Sequence, residues 1–291
     1  MTQTDHTPLS VLQPTQLYIS RLKLARARAY LEACNYRDYE PLPVKRIGRV
    51  RFLTDGHTRA LLLWRAGHTE VRTVPDEDDM EWASYLENVA WCVQAGIRTV
   101  ADLDAREIDE AQYQVLWRDR CAQAHAHIEA RTLEAATVAL ERDPDVRAEL
   151  CAAILASLPE WFGIETANAA YVAAVRELDT LVLRVFGVAV GLCALKVHYS
   201  RACELYLLGI APELHGRGLG ARLVSAAFEH ARKQGHQYMT VKTLSERHPD
   251  PGYARTRRFY HKLGFVAVEE FPELWGKDNP CLYMIRELGR S

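Results

Sequence analysis

Residues 204–221, ELYLLGIAPELHGRGLGA, hold an apolar strand, a proline stop and three glycines at alternate positions. The strand predicted from Glu204 to Ala211 ends at Pro212. Gly216, Gly218 and Gly220 follow, and a long helix is predicted over 217–234. Glycines so placed let the backbone turn tightly and bring its N–H groups close to a ligand. At a helix N-terminus those groups carry partial positive charge, which makes an anion site suited to a pyrophosphate. Arg217 and Arg222 add charge. A P-loop would end in Gly-Lys-Ser/Thr, which is absent. A dinucleotide fold needs GxGxxG and an acidic residue on the next strand. Here the spacing is GxGxG, and the next predicted strand, Gln237–Leu244, carries Lys242 and no acid. A tight strand-to-helix turn with no ligand is the remaining structural alternative.

Working outward, the pattern predicts helices over 165–177 and 253–263. It predicts strands at Thr180–Phe186 and Val188–His198, turning at Gly187, and at Phe265–Glu270 and Cys281–Arg286. The stretch 128–157 reads as polar and helix-prone, broken by Leu158-Pro-Glu-Trp-Phe-Gly163. This is an α/β (α+β) domain with a mixed sheet. Upstream, Pro43–Ile47 and Val50–Leu53 read as two strands split at Gly48-Arg49. A helix follows Arg59 and closes at Gly67, a strand spans Glu70–Val74, and helices span 80–95 and 109–127. The boundary between the two parts is expected near residues 120–126, giving domains 1–122 and 123–291.

The segment His215-x-x-Gly218-x-Gly220 resembles motif A of the Gcn5-related N-acetyltransferase (GNAT) superfamily, usually Gln/Arg-x-x-Gly-x-Gly/Ala, with His in place of Gln/Arg. Tyr253-Ala-Arg-Thr-Arg-Arg-Phe259-Tyr260-His-Lys-Leu263-Gly264-Phe265 resembles the superfamily's A-x-x-F-Y-x-x-x-G-F segment, with Tyr253 where the family often has Asn. The resemblance covers roughly residues 150–291. It implies acetyl-CoA as co-substrate, held by Gly209, Ile210, His215, Gly216, Arg217, Gly218, Leu219, Gly220 and Ala221. It also implies a backbone oxyanion donor around Gly209–Ile210, whose free edge pairs with the pantetheine arm. Tyr260 becomes the candidate general acid for the leaving thiolate and Glu204 the candidate base, with His198 and His248 as alternatives. Trp161 and Phe162, and Trp275 in Phe271-Pro-Glu-Leu-Trp275-Gly276, are the candidate acceptor-binding aromatics. Glu160, Glu270, Glu273 and Asp278 stand near them, a setting that suits a cationic amine. The acceptor is expected to be a small-molecule or peptide amine. The alternative is a CoA- or nucleotide-binding regulator with little turnover.

In the first half, Asp55-Gly56-His57-Thr58-Arg59 sits at a strand-to-helix turn. It resembles the ParB/sulfiredoxin superfamily over residues 20–80. That resemblance implies a nucleotide phosphate at Asp55, Gly56, His57, Thr58 and Arg59; the structural alternative is an Asp55 cap with a paired Arg59. A dimerisation or lid role for this half also stays open.

Apolar residues make up 48% of the 291, enough for a core in each half. The seven cysteines are scattered, with no CxxC or CxxH arrangement, so neither a disulfide framework nor a metal site is expected. Nine Lys/Arg against three Asp/Glu lie between Arg21 and Arg51, and twelve Asp/Glu against three Lys/Arg between Glu70 and Glu110. These blocks read as two solvated faces or as a basic surface for a phosphate-bearing ligand. The acidic block and the net charge of −2 argue against DNA. No apolar run approaches membrane-spanning length and MTQTDHTPLS lacks a secretion pattern, so a cytoplasmic location is expected.

Overall fold

The computed structural model describes residues 4–289. The chain divides into two compact units, residues 1–135 with 185–188, and residues 136–184 with 189–291. The division falls later than 122/123. The reason is helical packing: Arg131, beyond the expected boundary, pairs with the buried Glu87 carboxylate.

In chain order the first unit contains β1 (Asp5–Pro8), β2 (Leu12–Gln13), β3 (Ile19–Ser20), α1 (Arg21–Ala33), β4 (Leu42–Ile47), β5 (Val50–Leu53), α2 (His57–Arg65), β6 (Glu70–Pro75), α3 (Trp82–Gln94), β7 (Glu107–Ile108), α4 (Glu110–Tyr113), α5 (Arg120–His125) and α6 (Ile128–Glu134). A mixed sheet runs β1-β6-β4-β5-β2. β4 and β5 pair antiparallel with Ile47 opposite Val50, so Gly48-Arg49 is a two-residue hairpin turn, and Gly48 takes φ 52°. Leu12, Leu31, Leu42, Leu53, Leu61 and Leu63 fill the core beneath it. The expected helix over 109–127 is α4 and α5 joined by π-helical turns at Gln114–Asp119.

The second unit contains β8 (Ala136–Glu141), α7 (Pro144–Ala156), α8 (Glu165–Ala174), β9 (Asp179–Val185), β10 (Val188–Tyr199), β11 (Ala202–Ile210), α9 (Leu219–Lys233), β12 (Tyr238–Leu244), α10 (Pro251–Lys262), β13 (Val266–Phe271) and β14 (Cys281–Glu287). Its seven strands run β13-β14-β12-β11-β10-β9-β8. β11 and β12 are parallel, and α9 supplies the crossover between them. α9 buries Leu219, Leu223, Val224, Ala227, Phe228 and Ala231, the stripe expected of a helix lying on a sheet. α7 lays Leu150, Cys151, Ile154 and Leu155 with Val182, Leu192, Ala194 and Leu207. Asp143 and Asp250 cap α7 and α10, each followed by a proline at the first helical position. The architecture is the expected α/β mix of sheets flanked by helices.

Candidate active site

β11 and β12 pair only where Ala202–Leu205 face Tyr238–Val241. Beyond that point β11 runs on to Ile210 and β12 to Leu244 without pairing, so the sheet is open between them. A bulge coincides with the parting: Ala194 faces Leu207 while Leu195 faces Leu205, leaving Tyr206 as the extra residue. Such a bulge bends its strand.

On the other side of β11, the Ala211 N–H donates to the Val190 carbonyl at 2.8 Å. In an antiparallel pair the directly bonded residues alternate. Gly209 therefore also faces β10, and Leu208 and Ile210 turn their backbone groups to the open edge. This corrects the expectation for Gly209. Its value is steric: a Cβ there would lie 2.8 Å from Ile154 Cγ2 and 3.2 Å from Leu158 Cδ1, so glycine lets α7 close on the strand. Ile210 does stand at the edge, and its carbonyl accepts from His215 Nε2 at 2.8 Å.

The glycine loop adjoins that edge. Gly216 and Gly218 take φ of 79° and 76°, a left-handed conformation that L side chains resist. Gly218 is the N-cap of α9, and no side chain caps the helix. The N–H groups of its first turn, at Leu219, Gly220 and Ala221, have no intrahelical acceptor and gather the positive end of the helix dipole. Leu219 points its side chain into the core, so its contribution to a ligand is the amide. A Cβ on Gly220 would sit 3.2 Å from two Phe259 ring carbons and 3.6 Å from Ile210 Cδ1. Loop, α10 and strand edge thus meet closely there, with Arg217 half-buried between the two left-handed glycines.

Tyr260 is 6% exposed and packs against Phe259 and Phe265 at ring distances of 5.5 and 5.7 Å. Burial first, then Tyr253, Cys193 and Tyr171, raise its phenol well above the ordinary range, so it stays protonated at neutral pH. Burial likewise pushes Tyr171 up to about 12, helped by Tyr206, Tyr253 and Glu204. Tyr171 is therefore within electrostatic reach of both Tyr260 and Glu204. Phe162 meets Tyr171 edge-on at 5.9 Å, and Tyr171 meets Tyr206 at 5.4 Å. Trp161 lies elsewhere: it is edge-on to His215 at 5.8 Å, beside Gly252, and its carbonyl accepts from the Tyr253 hydroxyl at 3.0 Å. It flanks the glycine loop, whereas Phe162 joins the tyrosine wall. Trp275 is exposed on the loop between β13 and β14.

Glu204 is buried, 5% exposed, with both carboxylate oxygens engaged. Oε2 accepts from His198 Nε2 at 2.6 Å and Oε1 from Lys242 Nζ at 2.7 Å. Lys196 stands over the Tyr206 ring at 5.0 Å. His248 is occupied differently: its Nδ1 accepts from the Asp250 N–H at 3.3 Å. Sequence reasoning missed Leu208, Tyr171, Tyr206 and Lys196, which carry no motif. The one visible signal was Lys242, a charge inside an otherwise uncharged strand.

In the first unit, the turn expected to hold a phosphate serves the fold. Gly56 takes φ 76° against Leu42, where a Cβ would come within 2.8 Å. His57 is buried, its Nε2 accepts from the Thr15 N–H at 3.0 Å, and burial pushes its imidazole down to about 4. Thr58 is buried too, and Asp55 is exposed. Arg59 donates to the Glu40 carbonyl at 3.0 Å and pairs with its carboxylate at 3.2 Å. His57 and Arg59 both bond inside the unit, and Arg59 is paired as in the structural alternative, while the N-cap is Gly56 with no side chain capping the helix. Among the described residues there is no cluster suited to a metal ion, and no helix is long and apolar enough to cross a membrane.

No curated protein matches the sequence. Solved structures that it resembles include an acetyltransferase of the GNAT family from Desulfovibrio desulfuricans, 18% identical, with a TM-score of 0.48 over 53% of this chain and 100% of that one. Another is YncA from Salmonella typhimurium with its cofactor acetyl-CoA, 20% identical, TM-score 0.42, covering 54% and 95%. A third is the aminoglycoside 6'-N-acetyltransferase from Enterococcus faecium, 19% identical, TM-score 0.43, covering 53% and 98%. The segment from α8 through the open strand edge and glycine loop to β13, residues 170–267, matches the acetyltransferase (GNAT) domain family, and an acetyltransferase domain at those residues is supported by that match.

Proposed function

We propose that the second unit transfers an acetyl group from acetyl-CoA to the amine of a small molecule or peptide. The observation that carries this reading is the parting of β11 from β12 beside an uncapped helix N-terminus. An open backbone edge and a convergent set of amides adjoin there, and a CoA thioester has both an amide-bearing arm and a diphosphate. Gly220, which has no Cβ to meet the Phe259 ring, lets α10 close on the loop.

In this reading the amides of residues 216–221 bind the diphosphate, with Arg217 adding charge. Leu208 and Ile210 pair through their backbone with the pantetheine arm, and an N–H of that edge stabilises the developing oxyanion. His215, bonded to the Ile210 carbonyl, sets the position of the loop against the edge. Acetyl-CoA supplies the activated acetyl group. Tyr260, kept protonated by its burial, donates to the departing thiolate. Glu204, at the closed end of the split, belongs to the side that accepts the amine's proton. Phe162 with Tyr171 and Tyr206 forms an aromatic wall for the acceptor, Trp161 closes on the loop, and Trp275 borders the entrance.

A thiol-release screen over a panel of small amines, aminoglycosides and peptides tests the proposal. Acetyl-CoA-dependent thiol release with at least one amine is expected. Saturable acetyl-CoA binding with no release from any amine would instead describe a CoA-binding regulator.

A further inference from the structure

Glu204 is the buried member of a three-residue chain across three strands: His198 on β10, Glu204 on β11 and Lys242 on β12. Each oxygen of that buried carboxylate already accepts a hydrogen bond, Oε1 from an ammonium 2.7 Å away and Oε2 from an imidazole 2.6 Å away. The carboxylate is well disposed to orient that imidazole. A carboxylate oxygen accepts only, so the hydrogen in the 2.6 Å contact belongs to His198 Nε2. That fixes the tautomer and leaves Nδ1 with its lone pair free to accept a proton. The exposures agree with this division: 43% for the His198 side chain, 27% for Lys242 and 6% for Glu204. The group open to solvent is the imidazole. Tyr171 meets Tyr206, two residues along β11 from Glu204, at a ring distance of 5.4 Å.

We propose that His198 takes the proton from the acceptor ammonium, directly or through one water, and that Glu204 is a positioning residue whose charge Lys242 balances. The proposal rests on the acetyl-transfer reading above. His198 Nδ1 removes a proton from the ammonium, leaving a neutral amine and an imidazolium. The amine nitrogen forms its bond to the thioester carbon, the carbon–sulfur bond breaks, and Tyr260 protonates the sulfur. The proton lost by the amine as the amide forms restores the phenol through water, and the imidazolium releases its own to solvent. One ammonium and one thioester give one amide, one thiol and one free proton. The titratable group in contact with His198 is Glu204; Lys242 shares that carboxylate, Lys196 stands over the Tyr206 ring and Tyr206 meets Tyr171.

The test uses the full chain and two readouts. Diethyl pyrocarbonate acylates neutral imidazole nitrogen, so the pH midpoint of His198 acylation, followed by peptide mapping, reports its protonation without any acceptor. In Glu204→Gln the unmatched Lys242 ammonium faces the imidazolium, and the midpoint should fall by about one pH unit or more. In Lys242→Gln the carboxylate remains and the midpoint should rise, which covers the case in which Glu204→Gln folds poorly. In the thiol-release assay, His198→Gln should lower kcat about 100-fold and remove the acidic limb of the pH profile, with acetyl-CoA affinity unchanged. His248→Gln should behave as the wild type. The proposal is overturned if the midpoint stays put in both variants, or if His198→Gln turns over normally. It is also overturned if wild-type protein that binds acetyl-CoA releases no thiol with any amine. Failure to bind acetyl-CoA at all would instead sink the acetyl-transfer reading, whatever the acylation midpoints show.

Discussion

Replacing Gly216 with alanine isolates the contribution of the loop's backbone shape. Gly216 holds φ 79°, and a Cβ built there meets nothing within 4 Å. The substitution therefore introduces no clash, only the left-handed strain of an L residue, about 1–2 kcal/mol. The chain has two responses. It keeps the conformation, and the whole cost appears as lost stability. Or the loop relaxes in the free protein and must be strained again on binding, and the cost appears as lost affinity, about tenfold for each 1.4 kcal/mol. The two losses together should come to about 1–2 kcal/mol. Gly235 is the internal control. It holds φ 87° with an equally empty surrounding, and sits just past the far end of α9, where His236 N–H bonds the Ala231 carbonyl. Gly235→Ala should lose the same stability and leave acetyl-CoA affinity unchanged. Thermal melting gives the first quantity and titration calorimetry with acetyl-CoA the second. The reasoning fails if Gly216→Ala shows no loss in either, or if Gly235→Ala weakens acetyl-CoA as much as Gly216→Ala does.

Other perturbations separate the remaining roles. Tyr260→Phe should lower thiol release about 100-fold while barely moving the melting temperature, since burial and charge but no hydrogen bond set the phenol's environment; unchanged turnover would remove Tyr260 as the acid. Gly209→Ala should destabilise the second unit by about 1–3 kcal/mol through Ile154, and Ile154→Ala should relieve part of that in a double-mutant cycle followed by thermal melting. His57 is held neutral in the fold, down to about 4 against 6.5 unfolded. The unfolded chain therefore binds the extra proton first, so stability should be full above pH 6.5, decline as pH falls toward 4, and level off below it. The decline amounts to at most about 3 kcal/mol, and His57→Gln should flatten that part of the pH–stability curve.

The strand–loop–helix junction was legible in sequence because it depends on backbone freedom. Gly216, Gly218 and Gly220 marked the strand–loop–helix junction, and β4 and β5 were bounded by the Gly48-Arg49 turn. Direction was harder to read. The bulge at Tyr206 shifts the phase of β11, and this hands the open edge to Leu208 and Ile210 instead of Gly209. Such an insertion leaves no trace in composition. His57 occupies a helix-start position that suits a phosphate, but the side chain rotates inward to Thr15, a long-range contact no local pattern encodes. β8, Ala136–Glu141, was hidden in a helix-prone stretch because it is a short edge strand, half-exposed, next to good helix formers. Glu204 was picked out by its offset from His215, yet its partners His198 and Lys242 come from the neighbouring strands β10 and β12 and are set by sheet register. Trp161 and Phe162 are adjacent in sequence but part to serve the loop and the tyrosine wall separately.

The most direct measurement is titration calorimetry of acetyl-CoA into the intact, folded chain. A saturable heat with one site per chain, retained in Gly235→Ala, is the expected result. No heat at millimolar acetyl-CoA would contradict a diphosphate held by the amides of residues 216–221, and the acyl-transfer assignment would fall with it.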